Sequence, residues 1–291
     1  MSEIVGLAGD WHGNTIWARE CLIQLAGFNV HQVYHLGDFG IWPGDRGKRY
    51  VDRVNATARH FGIDIWVTPG NHEDYDQISA LPVGDDGLQR VATNIALIPR
   101  GHRWEHGGRS FVSLGGAPSI DFEQRVEGVS WWRGETVTIE EAMAVREAGQ
   151  ADVMLTHDSP DFGTDQVQAI INTPTDKNPW STAGLRYASE GRQMMDIAVS
   201  GVIPALLAHG HYHVAGDTES RPGTRFLALA GDGMPGNVAL LQLPDLAVSW
   251  DGRTWKPTPG AARTAPRTGG RAQNDLPDHQ EPGYGAQEAI S

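Results

Sequence analysis

The chain has 291 residues, 40 % of them apolar, with 10 Trp and one cysteine; that is enough for a substantial core and is a globular composition, not a disordered one. Its formal charge is -13, from 36 acidic against 23 basic residues. Lys256, Arg263, Arg267 and Arg271 offset Asp275, Asp278, Glu281 and Glu288 in the tail, so the excess acid lies on the body and disfavours stable binding to duplex nucleic acid. The lone Cys21 excludes a disulfide framework and a thiolate zinc site. Met1 leads into an apolar strand without a basic leader, and no apolar run is long enough to span a bilayer. These features predict a soluble, cytoplasmic protein of undetermined oligomeric state, without membrane attachment.

In chain order, three units share one grammar. Strand 4–8 precedes the loop Gly9-Asp10-Trp11-His12 and a helix over 15–26. Strand 32–36 precedes Gly37-Asp38-Phe39-Gly40 and a helix over 46–61. Strand 63–67 precedes Gly70-Asn71-His72-Glu73 and a short helix. Strands alternating with helices predict parallel βαβ units, whose ligand-binding loops follow the strand C-termini. Short strands at 94–99, 102–105 and 109–114, separated by glycine turns, read as a meander. A loop-rich segment over 115–135 leads to a helix at 139–147. Strand 152–155 ends in Thr156-His157, and a polar stretch precedes a helix over 185–199. Strand 203–207 ends in His209-Gly210-His211-Tyr212-His213. Strands at 226–229, 238–243 and 247–250 complete a domain spanning 1–255, and the Pro/Gly/Ala-rich residues 256–291 read as a disordered tail.

Asp10, His12, Asp38, Asn71, His157, His211 and His213 therefore fall at the same end of successive strands, on loops that converge on one sheet edge. Carboxylates and imidazoles gathered there are costly to bury without a ligand. Imidazole, carboxylate and amide oxygen without thiolate suit Mn, Fe, Zn, Ni or Co. The set is too large for one tetrahedral ion and suits two. Asp38, alone on its loop, is then the bridging candidate.

The ordered blocks Asp10-x-His12, Gly37-Asp38, Gly70-Asn71-His72-Glu73, His157 and Gly210-His211-x-His213 resemble the calcineurin-like metallophosphoesterase superfamily over residues 4–215. The resemblance implies an α/β four-layer α-β-β-α sandwich, with two mixed sheets face to face and helices outside. It assigns Asp10, His12 and His213 to one divalent ion and Asn71, His157 and His211 to the other, with Asp38 shared and manganese the first choice. His72 matches the family's catalytic histidine, which contacts the scissile phosphate without ligating metal. A hydroxide held between the ions would attack phosphorus in line. The block Gly-Asp-x-Val-Asp-Arg-Gly of Ser/Thr protein phosphatases is absent here, where Gly37-Asp38-Phe39-Gly40-Ile41-Trp42-Pro43 stands. With it go the carboxylate that orients the histidine and an arginine, so the partner of His72 is open.

The expected substrate is a small phosphodiester, with 2′,3′-cyclic nucleotides the first class to consider. A phosphomonoesterase, a single-strand nuclease and a metal-stabilised interaction module are the alternatives. Arg125, Trp132 and Arg192 are candidates for substrate contact. His209 is set aside as a ligand because the motif begins at Gly210. Asp158 reads as a supporting or capping residue and Asp232 as a turn. Trp11, Phe39 and Trp42 read as core in preference to a stacking wall. His31, His35, His60, His102 and His106 read as structural or exposed.

Overall fold

The computed structural model describes residues 3–259 except Pro222 and Pro244. The expected disordered tail lies, from Gly260 onward, outside the described residues. The three initial units form as β1 (Glu3–Ala8), α1 (Thr15–Gly27), β2 (Gln32–His35), α2 (Gly44–Phe61), β3 (Asp64–Val67) and α3 (Tyr75–Ala80). They are followed by β4 (Gln89–Ala92), β5 (Ile95–Leu97), β6 (Arg103–His106), β7 (Arg109–Leu114), α4 (Ile139–Glu147), β8 (Val153–Thr156) and α5 (Asp165–Ile171). The remaining elements are α6 (Thr182–Val202), β9 (Leu206–His209), β10 (Gly216–Arg221), β11 (Thr224–Ala228), β12 (Val238–Leu243) and β13 (Ala247–Ser249).

The strands build two mixed sheets, ordered β13-β12-β1-β2-β3-β5-β4 and β10-β11-β9-β8-β7-β6. Alternation along each strand explains why they stack. Tyr34 and Trp66 of the first sheet join Phe111, Val153, Leu155 and Leu206 of the second in a core between the sheets. The intervening Val33 and Ile65 face outward, beneath α1 and α2, with Leu22, Leu25 and Val54. On the other side, Val112, Met154 and Leu207 pack under α4 and α6, against Val145, Met195 and Val199. Both faces of each sheet are thus covered, which is why the central strands read as unbroken apolar runs. Each fully buried Leu or Ile contributes about 1.5–3 kcal/mol to this packing. The result is the α-β-β-α sandwich expected from the motifs.

Several expectations need correction. The residues read as a meander divide between the sheets: β5 runs parallel to β3, while β6 and β7 pair in the other sheet. A local alternation cannot reveal which sheet a strand joins. The strand expected at 203–207 starts later, because α6 continues to Val202, Ile203 closes it with a left-handed φ of 45°, and Pro204 follows. β4, α5 and β10 were not expected. α5 is seeded within the polar stretch by Thr164, whose hydroxyl accepts from the Val167 amide. The body also extends past residue 255: Lys256 pairs with Val248, and Arg225 Nη1 donates to the Lys256 carbonyl at 2.8 Å.

Candidate metal centre

The five motif loops meet at one end of the sandwich, but not at the edge of a single sheet. Those carrying Asp10, Asp38 and Asn71 follow β1, β2 and β3 of the first sheet; those carrying His157, His211 and His213 follow β8 and β9 of the second. The structure brings all seven expected ligand residues together. Asp38 lies at the middle, with its Oδ2 3.2 Å from His12 Nε2, 3.4 Å from His157 Nε2 and 3.8 Å from His72 Nε2. Asp10, His12, Asp38 and His213 each offer a donor atom, all within 4.8 Å of one another. On the other side, Asn71 Oδ1 is 3.0 Å from His157 Nε2, and the His157 and His211 rings lie 5.0 Å apart.

The backbone is bent to achieve this. Asp10, His12, Asp38, His211 and His213 adopt positive φ between 46° and 69°; among the other described non-glycine residues only Asn29, Ile203 and Leu246 do so. Left-handed backbone at such residues costs on the order of 1–3 kcal/mol each and concentrates where function demands a geometry. Gly37, expected to permit a tight turn, has φ 91°, and a Cβ there would meet His157 Nδ1 at 2.3 Å. Gly70 lacks that left-handed backbone, and its role is close approach, since a Cβ would sit 2.3 Å from Asp38 Oδ1.

The donor set fits divalent cations. His157 Nδ1 lies 2.6 Å from the Leu36 carbonyl and His12 Nδ1 2.9 Å from the Asp10 carbonyl. A carbonyl only accepts, so each Nδ1 carries the proton and each Nε2 lone pair turns toward Asp38. Asp10 and Asp38 are buried to 0 % and 1 % exposure. Burial opposes charge on His12 and His157, yet the Asp38 and Asp10 carboxylates outweigh it and lift these imidazoles to about 9 and about 10. Burial likewise opposes charge on Asp38, but His157, His72 and His12 hold its carboxyl well below the usual range. The cluster thus draws positive charge into itself, a demand that metal cations satisfy in place of protons.

Supporting residues went largely unread in the sequence. Glu73, quoted within a motif but given no role, is fully buried and accepts from the amides of Asp38, Gly40 and Gly70, tying two ligand loops together. Burial and the Asp38 charge push its carboxyl up to about 6 against those amide bonds. Ser119 accepts from Asn71 Nδ2 at 2.9 Å and donates to Glu135 at 2.7 Å, which turns the asparagine oxygen toward His157. Asn237 accepts from the indoles of Trp11 and Trp17 and donates to the carbonyls of Gly9 and Ala230.

His72 presents Nε2 to Asp38, and its open partner is Arg125, whose Nη1 lies 3.0 Å from His72 Nδ1. Asp121 holds Arg125 through Nε at 2.6 Å. Arg192 reaches the cavity beside the cluster while its Nε donates to Asp161 at 2.6 Å. Trp132 is buried at 4 % exposure and borders a neighbouring depression. Trp11 and Phe39 are core residues, whereas Trp42 is half-buried beneath the Arg46 guanidinium. Asp158 is buried, accepting from the Ser159 amide and the Tyr212 hydroxyl. Asp232 occupies its expected turn and also touches the site: its amide donates to the Asp10 carbonyl and its Oδ1 lies 3.7 Å from His12 Nδ1. His209 is buried in β9, with Nδ1 against the Gly210 carbonyl and no polar partner for Nε2 among the described residues. His35 is likewise a core histidine.

A two-sheet sandwich with a buried carboxylate–imidazole cluster at the ends of its strands, together with the family model that the sequence matches, defines the class as a metal-dependent hydrolase of phosphoric esters. The calcineurin-like phosphoesterase model matches residues 5–215, and the chain belongs to that family. The family binds two divalent metals. Among solved structures, the protein TT1561 of Thermus thermophilus shares the fold at TM-score 0.50 and 12 % identity, over 86 % of this chain and 98 % of that one. A dimetal phosphatase from Danio rerio aligns at TM-score 0.49 and 16 % identity, over 85 % and 95 % of the two chains. No curated protein matches the sequence. Among the described residues, no helix is long and apolar enough to cross a membrane.

Proposed function

We propose that the protein hydrolyses small phosphodiesters, with 2′,3′-cyclic nucleotides the first class to test. Asp10, His12 and His213 would hold one divalent ion and Asn71, His157 and His211 the other, with Asp38 shared and manganese the first choice. Such ions would supply positive charge against the phosphoryl oxygens and activate water for attack.

The observation that carries the diester reading is the placement of His72 and Arg125. Both line a cavity of about 400 Å³ on one side and a second depression of about 280 Å³ on the other. A phosphate seated at their junction has room for an organic group in each direction, as a diester requires and a monoester does not. Arg125 can only donate, so His72 Nδ1 accepts and the neutral ring keeps its proton on Nε2, which faces the cluster. From there Nε2–H is placed to donate a hydrogen bond to the phosphoryl group or to the departing oxygen as charge develops on it. Arg125 holds that tautomer, and Asp121 and the Ser130 carbonyl hold Arg125.

The acidic body supports a small substrate over a polymer, and we place the reaction in the cytoplasm. The test is a side-by-side assay of matched mono- and diesters with Mn, Fe, Zn, Ni and Mg, with bound metal measured. Faster diester cleavage with Mn is expected. Monoester turnover at least as fast would overturn the preference.

A further inference from the structure

The larger cavity carries an inference that rests on the phosphoesterase reading and deepens it. Its lining includes the cluster, through Asp38, His72 and His211, and also the large apolar groups Ile120, Ile171, Trp180 and Leu185, with Asp121, Thr173 and Asn178 among them. The apolar groups come from the loop-rich 115–135 segment, the end of α5, the segment between α5 and α6, and the start of α6. The walls are tied to each other. Ser181, which caps α6, bonds through its hydroxyl to Glu123 of the loop. Phe122 packs on Tyr187 of α6 at 4.9 Å between ring centres and on Trp131 at 5.8 Å. Trp180 remains 40 % exposed. Large apolar groups and a charged cluster lining one cavity of about 400 Å³ form a small-molecule pocket that offers both kinds of surface.

We propose that this cavity selects phosphate esters carrying one flat aromatic ring system, seated against the apolar lining with Trp180 as its aromatic contact while the phosphoryl group lies on the cluster. Aromatic faces reward a planar guest by stacking, and Ile171 and Leu185 supply apolar surface to its edges. The cavity volume suits one ring system with a small linker, not a chain of them.

The test is calorimetric titration of the full-length, Mn²⁺-loaded protein with phenylphosphonate and with methylphosphonate, which share a headgroup and differ only in the ring. Phenylphosphonate should bind at least about tenfold more tightly, the effect of burying one ring. Trp180→Ala, at an exposed position that should fold normally, and Leu185→Ala should each narrow the ratio toward one. Thermal melts and bound manganese check that each variant is intact. Equal affinities in the wild type, or a ratio unchanged in both variants, would overturn the aromatic pocket and leave the phosphoesterase reading standing. Failure of both phosphonates and of inorganic phosphate to bind the loaded protein would overturn both.

Discussion

Arg125 and His72, 53 residues apart in the chain, meet with Nη1 at 3.0 Å from Nδ1 and Nη2 at 3.3 Å from Nε2. A neutral imidazole has one acceptor nitrogen, so the shorter contact is the hydrogen bond and the longer an unbonded approach. The guanidinium orients this histidine but, donating where a carboxylate would accept, it adds to burial in keeping the ring neutral and below its ordinary pKa. Arg125→Ala should lower kcat by about 100-fold, within the range of one lost hydrogen-bond donor to the transition state, while bound metal stays unchanged. Arg125→Lys keeps the charge but not the planar fork, and should recover only part of that loss. The measurements are kcat and KM across pH for both variants, beside metal content. A loss confined to KM would assign Arg125 to phosphate binding alone.

The residues that gather in the cluster were legible because each follows an apolar strand, and strand periodicity and glycine punctuation are local signals. The sandwich was legible only through the ordered motifs, since nothing in residues 94–114 says that the chain changes sheets between β5 and β6. The supporting residues were illegible for a related reason. Ser119 meets Asn71 across 48 residues, and Asn237 meets Trp11 across 226. A serine in a loop or an asparagine before a strand carries no pattern of its own. Only the fold, once closed, gives such residues partners.

Asp38 and His209 separate membership of the cluster from burial. Both are buried beside the same loops, but Asp38 touches three imidazoles, while His209 touches none of the donor atoms in the cluster. Asp38→Asn removes the shared charge and should reduce turnover by on the order of a thousandfold, with less than two metal equivalents retained. His209→Leu should keep bound metal at the wild-type level. Elemental analysis after dialysis against limiting manganese reads both, and metal loss in the leucine variant would return His209 to the ligand set.

Ser119 tests the orientation of the asparagine. With its hydroxyl accepting from Asn71 Nδ2, the amide oxygen is left to face His157. Ser119→Ala removes that restraint and should weaken one ion by about 10–100-fold while leaving the other in place. A manganese titration should then resolve two unequal steps, where the wild type shows closer affinities.

Glu135 gives the pH dependence. It is fully buried, and burial pushes its carboxyl to about 7 despite bonds from the Ser119 amide and hydroxyl, Trp131 and Tyr187. The ordinary value is 4.5, so between 4.5 and about 7 the folded state holds a proton that the unfolded state has released. Stability contributed by this group therefore falls as pH rises through that window and is constant above it, by roughly 3 kcal/mol at most. In Glu135→Gln this limb disappears. Urea denaturation of wild type and variant at pH 5, 6, 7 and 8 should show their stability difference shifting toward the variant as pH increases.

Asn237 is the strongest prediction for stability. Its Oδ1 lies 3.1 Å from Trp11 Nε1 and 2.7 Å from Trp17 Nε1, and its Nδ2 is 2.6 Å from the carbonyls of both Gly9 and Ala230. The residue is 1 % exposed. It thereby anchors the loop that carries Asp10 and His12 to the start of β12, the strand from late in the chain that pairs with β1. Asn237→Ala strands two indole donors and two carbonyls, of which those of Trp11, Gly9 and Ala230 belong to buried residues. Each such group costs about 1–3 kcal/mol, so a loss of about 3 kcal/mol is expected after partial relaxation. Asn237→Asp keeps the acceptor for both indoles but presents a carboxylate to two carbonyls, and should be no more stable than the alanine variant. Chemical denaturation of both variants, with intrinsic tryptophan fluorescence as the probe, measures the loss; an alanine variant within about 0.5 kcal/mol of wild type, the spread of neutral surface substitutions, would show that the anchor is dispensable.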